Sequence, residues 1–123
     1  MVSTAVVFDT NILIDYLRGI TAAKTECDRY SDRAISIVTW MEVMAGTTVA
    51  DEQKTRDFLA YFATIPLTPD VADRAVAIRR NGRLKLPDAI IKATAEQSAR
   101  LLITRNTRDF PKGSPGIRIP YVR

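Results

Sequence analysis

The run VVFDTNILIDYL, residues 6–17, constrains the fold more than any other stretch, because it sets one carboxylate between two segments that both read as buried. TAVVF (4–8) has the pattern of a short buried strand, and a helix is expected from about Asn11, ended by Arg18 and Gly19 in the right order for a helix C-terminus. Aspartate is seldom fully buried without a partner, and burying its charge costs several kcal/mol unless something compensates. Asp9 therefore calls for a cap, a salt bridge or a metal ion.

The remainder of the chain repeats the alternation of strand and helix. A second helix is expected over 21–31 and a second strand at AISIV (34–38). Thr39-Trp40-Met41-Glu42 has the S/T-x-x-E spacing of a capping box opening a helix that stops near Gly46. Residues 51–63 form an amphipathic helix with Phe58, Leu59 and Phe62 on one face, suited to the core or to an interface. Ile65-Pro66-Leu67 reads as a poor edge strand, and Thr68-Pro69 as an N-cap with proline at the first helical position, with Asn81-Gly82 at the far end. A further helix begins at Pro87, LLIT (101–104) is a strand, and 117–119 is the last. Such alternation predicts one α/β domain over residues 1–123, with a central, mostly parallel sheet and helices on both faces.

In a sheet of that kind ligands bind beyond the carboxyl ends of the strands. Asp9 follows the first strand, and Glu42 is expected in the first helical turn after the second. Asp88 falls in the first turn of the helix at Pro87, and Asp109 in the loop after LLIT. Each acid alone also has a structural reading. Asp9 serves as an N-cap, Glu42 closes a capping box, Asp88 suits the positive end of a helix dipole, and Asp109 braces a loop or pairs with Arg105 or Arg108. Four carboxylates at one end of a sheet repel one another, however, and a divalent cation relieves that repulsion. Oxygen-only ligands suit Mg²⁺, with Mn²⁺ as a substitute.

The chain has no histidine. That removes the usual general base at neutral pH, the Ser-His-Asp arrangement and nearly all mixed His/Cys zinc sites. One cysteine, Cys27, forms no internal disulfide, and no apolar stretch approaches the roughly 20 residues that span a bilayer. With no recognisable signal peptide at the N-terminus, a cytoplasmic address and no membrane partner are expected. A net charge of +4 favours an anionic partner. Arg79, Arg80, Arg83 and Lys85, just before Asp88, are candidates for tracking a phosphate backbone. An acidic, metal-binding notch in a basic chain fits metal-assisted phosphodiester cleavage.

Four segments, FDTNILIDYL (8–17), SIVTWMEVMAG (36–46), RLKLPDAIIKATA (83–95) and LITRNTRDF (102–110), carry a family resemblance. In their order and spacing the chain resembles the PIN-domain ribonucleases, and within them the VapC toxins of bacterial VapBC toxin–antitoxin pairs, from about residue 4 to 121. The resemblance implies a Mg²⁺-dependent endoribonuclease with Asp9, Glu42, Asp88 and Asp109 as catalytic, metal-binding acids. It implies that Asn11 orients Asp9 and that Thr104 is a hydroxyl close to the metal. Some relatives carry their fourth acid two residues after this threonine, where the chain has Asn106. The match is better to the T-R-N-x-x-D-F pattern, which makes Asp109 the candidate. An RNA substrate, a VapB-type antitoxin, contact with operator DNA only through that antitoxin, and a homodimer are implied as well. The alternative function is a non-catalytic or weakly catalytic protein that acts mainly as co-repressor with its antitoxin. A haloacid-dehalogenase-type phosphotransferase also begins strand-then-Asp, but its chemistry wants a second aspartate where this chain has Asn11.

Overall fold

The computed structural model describes residues 2–123. The elements run β1 (Val2–Phe8), α1 (Thr10–Leu17), α2 (Thr21–Arg29), β2 (Tyr30–Ser36), α3 (Ile37–Ala45), α4 (Glu52–Leu59), β3 (Ala63–Ile65), α5 (Pro69–Asn81), α6 (Leu86–Gln97), β4 (Leu101–Ile103) and β5 (Ile117–Arg118). The five strands form one sheet in the order β3-β2-β1-β4-β5, and every pair is parallel. From β1 the chain moves outward to β2 and β3, then returns to lay β4 and β5 on the other side. The order therefore reverses between β1 and β4, and a crevice opens there beyond their carboxyl ends.

Side chains alternate across the sheet, and each face has its own core. Val6, Phe8, Ile35 and Ile103 point to one face, where they pack with Ile12 and Leu13 of α1, Cys27 of α2 and Phe58 and Leu59 of α4. Val7, Ala34 and Leu102 point to the other, against Val71 and Ala75 of α5 and Ile91 and Ala95 of α6. Phe58 and Phe62 stand edge-on at 5.4 Å and Phe62 meets Phe8 at 5.7 Å, so the aromatic face of the 51–63 segment belongs to the core.

The fold class agrees with the sequence reading, and several boundaries move. Strand β2 begins at Tyr30 and stops at Ser36, four residues earlier at its start than AISIV suggests. Its first half is polar because it lies where the sheet is open to solvent, while pairing with β1 as far back as Val2 keeps it extended. Helix α4 ends at Leu59, and Ala63–Ile65 pairs with Ala34–Ser36 as the edge strand β3, directly ahead of Pro66.

The capping box is a correction. Ile37 and Val38 are helical, and the N-cap of α3 is Ser36, whose hydroxyl accepts from the Val38 amide at 3.0 Å. Thr39 is thus inside the helix and fully buried, and Glu42 lies in the second turn. Thr68 and Pro69 open α5 as read, with the Thr68 hydroxyl accepting from the Val71 amide. Gly19 closes the turn after α1 at φ +82°, a left-handed conformation in which a side chain would be strained. Among the described residues no helix is long and apolar enough to cross a membrane.

Candidate active site

Asp9 lies at the junction of β1 and α1, and its backbone amide donates to the Ile103 carbonyl at 2.8 Å, which pins the end of β1 to the end of β4. It is indeed the N-cap of α1: Oδ1 accepts from the Thr10 amide at 2.7 Å. Capping takes only that oxygen. Oδ2 accepts from the Thr104 hydroxyl at 2.8 Å and, more distantly, from the Asn11 amide at 3.5 Å. Asn11 also donates to Thr104 Oγ1 at 3.3 Å, so Asp9, Asn11 and Thr104 form a closed polar triangle across the switch point. Thr104 is fully buried and Asp9 is 5% exposed.

Glu42 reaches this cluster from α3. Thr10 Oγ1 donates to Glu42 Oε1 at 2.7 Å and stands 2.9 Å from Thr39 Oγ1. A hydroxyl has one proton, so with the carboxylate taking it the Thr39 hydroxyl supplies the proton of the second contact. Thr39 therefore acts from inside the helix to orient Thr10, and through it Glu42. The spacing that resembled a capping box is a hydrogen-bonded brace for an acid.

Asp88 comes from the first turn of α6 and faces the same cleft, half-buried. Asp109 lies in the loop after β4, where its carboxylate accepts from the Asn106 side-chain amide at 2.9 Å and its own amide donates back to Asn106 Oδ1 at 3.2 Å. Asn106 in turn donates its backbone amide to Thr104 Oγ1 at 3.1 Å. Asn106, which stands where some relatives carry their fourth acid, is thus the link between Thr104 and Asp109.

Electrostatics joins the four acids. Burial pushes the Asp9 carboxyl up to about 6; the hydrogen bonds from Thr104 and Thr10 oppose that, and the negative charges of Asp88 and Glu42 add to it. Asp88 is also raised, first by burial and then by Glu42 and Asp109, with Lys85 pulling the other way. Among the described residues no group of three or more His, Cys, Asp or Glu side chains is gathered tightly enough to make a preformed metal cage. The donor set itself is all oxygen, from carboxylates and the hydroxyls beside them. That chemistry fits a hard divalent cation such as Mg²⁺ or Mn²⁺ better than zinc, whose protein sites are built mainly on Cys and His.

The cleft lined by Asp9, Glu42 and Asp88 has a volume of about 580 Å³, and its cationic wall consists of Arg105, Arg108 and Arg123; Asp109 lies outside it and lines the neighbouring groove between α5 and α6. None of the three arginines was among the basic candidates of the sequence. Of those candidates, only Lys85 stands close enough to Asp88 to act on its charge. Arg83 lines a separate groove between α5 and α6, and Arg79 and Arg80 are exposed in the last turn of α5. Arg105 pairs with Asp15 rather than with Asp109.

A family model described as PIN domain matches residues 6–113. The chain belongs to the PIN-domain family. Over 114 residues, 86% of either chain, it is 32% identical to Ribonuclease VapC10 of Mycobacterium tuberculosis. Among solved structures it is similar to a toxin–antitoxin complex from Klebsiella pneumoniae, with 48% identity and a TM-score of 0.91 over 97% of this chain and 100% of that one. VapBC2 from Rickettsia felis, solved with a DNA fragment from its promoter, shares the PIN fold at 18% identity and a TM-score of 0.76, over 93% of this chain and 96% of that one.

Proposed function

We propose that this PIN domain is the ribonuclease toxin of a type II toxin–antitoxin pair and hydrolyses RNA phosphodiesters with Mg²⁺ held by Asp9, Glu42 and Asp88, Asp109 completing the set. The observation that carries the reading is Asp9. A carboxylate is buried at the topological switch point with its ionised form disfavoured by burial and by two further acids. Nothing in the packing requires that charge, whereas a cation beside it turns the penalty into an attraction.

A bound divalent cation supplies the charge neutralisation and the lowered water pKa that phosphodiester hydrolysis at neutral pH needs. The chain's own residues set the geometry. Thr104 and the Thr10 amide fix both oxygens of Asp9, Thr10 braced by Thr39 aims Glu42, and Asn106 holds Asp109. The arginines of the opposite wall attract the polyanionic substrate to a notch whose floor is negative.

The relationship to ribonuclease VapC10 supports RNA as the substrate, and the Klebsiella complex supports an antitoxin as partner. Contact with operator DNA through that antitoxin belongs to the same reading and requires no change in the acid site. The test is a cleavage assay on RNA with antitoxin-free protein. Cleavage with Mg²⁺ that stops on chelation is expected; undiminished cleavage in excess EDTA overturns the metal mechanism, and no cleavage of any RNA with Mg²⁺ or Mn²⁺ overturns the ribonuclease reading.

A further inference from the structure

Asp15 is fully buried and stands apart from the acid cluster. It lies one helical turn beyond Asn11, so the two residues share a face of α1, four residues apart. Asn11 Oδ1 accepts from the Arg105 backbone amide at 3.3 Å, and Asp15 accepts from the Arg105 side chain, from Nε to Oδ2 at 2.6 Å and from Nη2 to Oδ1 at 3.4 Å. The chain end closes over the same carboxylate. Tyr121 donates its hydroxyl to Oδ2 at 2.9 Å, and Arg123 donates from Nη1 to Oδ1 at 2.6 Å. Burial alone pushes Asp15 up, but these hydrogen bonds outweigh it and hold the carboxyl below the usual range.

Two features of this clasp point away from a purely structural role. First, two guanidinium groups share one carboxylate, so the cluster keeps one positive charge. Second, both groups are part-exposed, at 29% and 38% of the side chain, and both line the acid cleft. Asp15 takes two of the five N–H donors of Arg105 and one of the five of Arg123, and the others remain for a ligand in the cleft. Forked, fixed N–H groups on a surplus positive charge suit a phosphodiester oxygen pair. The substrate of the proposed reaction brings a phosphate every nucleotide.

We propose that Arg105 and Arg123, locked by Asp15 and Tyr121, form a subsite for an RNA backbone phosphate beside the one that is cleaved. Asp15 and Tyr121 are positioning residues and act through the arginines. The proposal rests on the ribonuclease reading, and its test separates the two. Kinetics are measured with a single-stranded RNA oligonucleotide across a salt series for wild type, Arg123→Gln, Arg123→Lys and Tyr121→Phe, with thermal melts of each.

In Arg123→Gln the Asp15 carboxylate keeps its bonds from Arg105 and Tyr121, so the variant is expected to melt close to wild type. Its KM should rise about tenfold, the worth of one charge-assisted hydrogen bond, with a much smaller change in kcat. Its salt slope should fall by about 0.7 log units, one phosphate contact on a single strand. Arg123→Lys restores the salt slope and part of the KM. Tyr121→Phe keeps every charge but frees the clasp, and should raise KM about threefold with the salt slope nearly unchanged. A wild type that neither binds nor cleaves RNA defeats both readings. A wild type that cleaves, with KM and salt slope unaltered in Arg123→Gln, defeats the subsite alone, as does a loss confined to kcat.

Discussion

Replacing Asp9 with asparagine tests whether the buried charge is a burden on the fold. The folded carboxyl titrates at about 6 against 3.8 for the free group, a gap of about two units. At 1.36 kcal/mol per unit the ionised side chain costs the folded state about 3 kcal/mol at neutral pH without a cation. Asparagine removes the charge and still accepts from the Thr10 amide as an N-cap. Its NH₂ group, however, then faces Thr104 Oγ1, which already accepts from Asn11 and from the Asn106 amide. One crowded donor costs about 1 kcal/mol. Asp9→Asn is therefore expected to be more stable than wild type by ~1–2 kcal/mol at pH 7 in EDTA.

The same pKa gap predicts a pH dependence. Between pH 4 and 6 the folded wild type holds a proton on Asp9 that the unfolded chain has lost. Its stability therefore falls as pH rises through that window and levels off above it. In Asp9→Asn the part of that slope due to Asp9 disappears, and the part due to the raised Asp88 carboxyl remains. Urea unfolding from pH 4 to 8 in EDTA measures both effects. A variant less stable than wild type at pH 7, with the wild-type slope intact, refutes the assignment of the cost to Asp9.

Glu42→Gln is expected to fold normally, because Glu42 is exposed, and to lose RNA cleavage by about a hundredfold or more, since one ligand charge is gone; cleavage assays beside thermal melts decide it. Asn106→Ala releases Asp109 from its hydrogen bond, with an expected loss of about 1 kcal/mol in urea unfolding and weaker Mg²⁺-dependent cleavage, which Asn106→Asp does not restore because it sets a charge against Asp109. Ser36→Ala removes the cap of α3 and should cost about 1 kcal/mol, whereas a capping role for Thr39 would transfer that loss to Thr39→Ala through the α3 N-terminus alone; the diagnostic is that Thr39→Ala lowers cleavage and Ser36→Ala does not.

The architecture was legible because β-branched runs and 3.6-residue periodicity are local signals. Val6, Val7 and Phe8 announce a buried strand, and Thr68-Pro69 a helix start, from their neighbours alone. The shared cleft position of Asp9 and Asp88 was legible for a related reason: in a parallel sheet, a residue just after a strand or at a helix start lies at the carboxyl edge, whereas Asp109 is six residues past β4 and lines the neighbouring groove. Glu42 was read at the right end of the sheet through the wrong device. Ile37 and Val38 favour a strand on propensity, but the Ser36 cap draws them into α3, and Thr39 becomes a brace.

The arginine clasp was invisible in the sequence. Its bonds join Asp15 to residues 90, 106 and 108 positions away, and a lone aspartate on a short helix resembles a surface residue. The basic run before Asp88 drew attention by its density. Charge density along the chain says nothing about which face the charges occupy once α5 and α6 are packed.

The central claim is that the acids at the switch point hold a divalent cation, and direct binding of Mn²⁺ measures it without RNA or antitoxin. Titration of wild type, Asp9→Asn and Asp9→Asn/Asp88→Asn, followed by the loss of the free-ion electron paramagnetic resonance signal, gives affinity for each. Wild type should bind, competably by Mg²⁺; Asp9→Asn should bind at least tenfold more weakly, and the double variant should not bind measurably. Equal Mn²⁺ affinity in all three proteins would contradict the account, and Asp9 would then be a buried helix cap and nothing more.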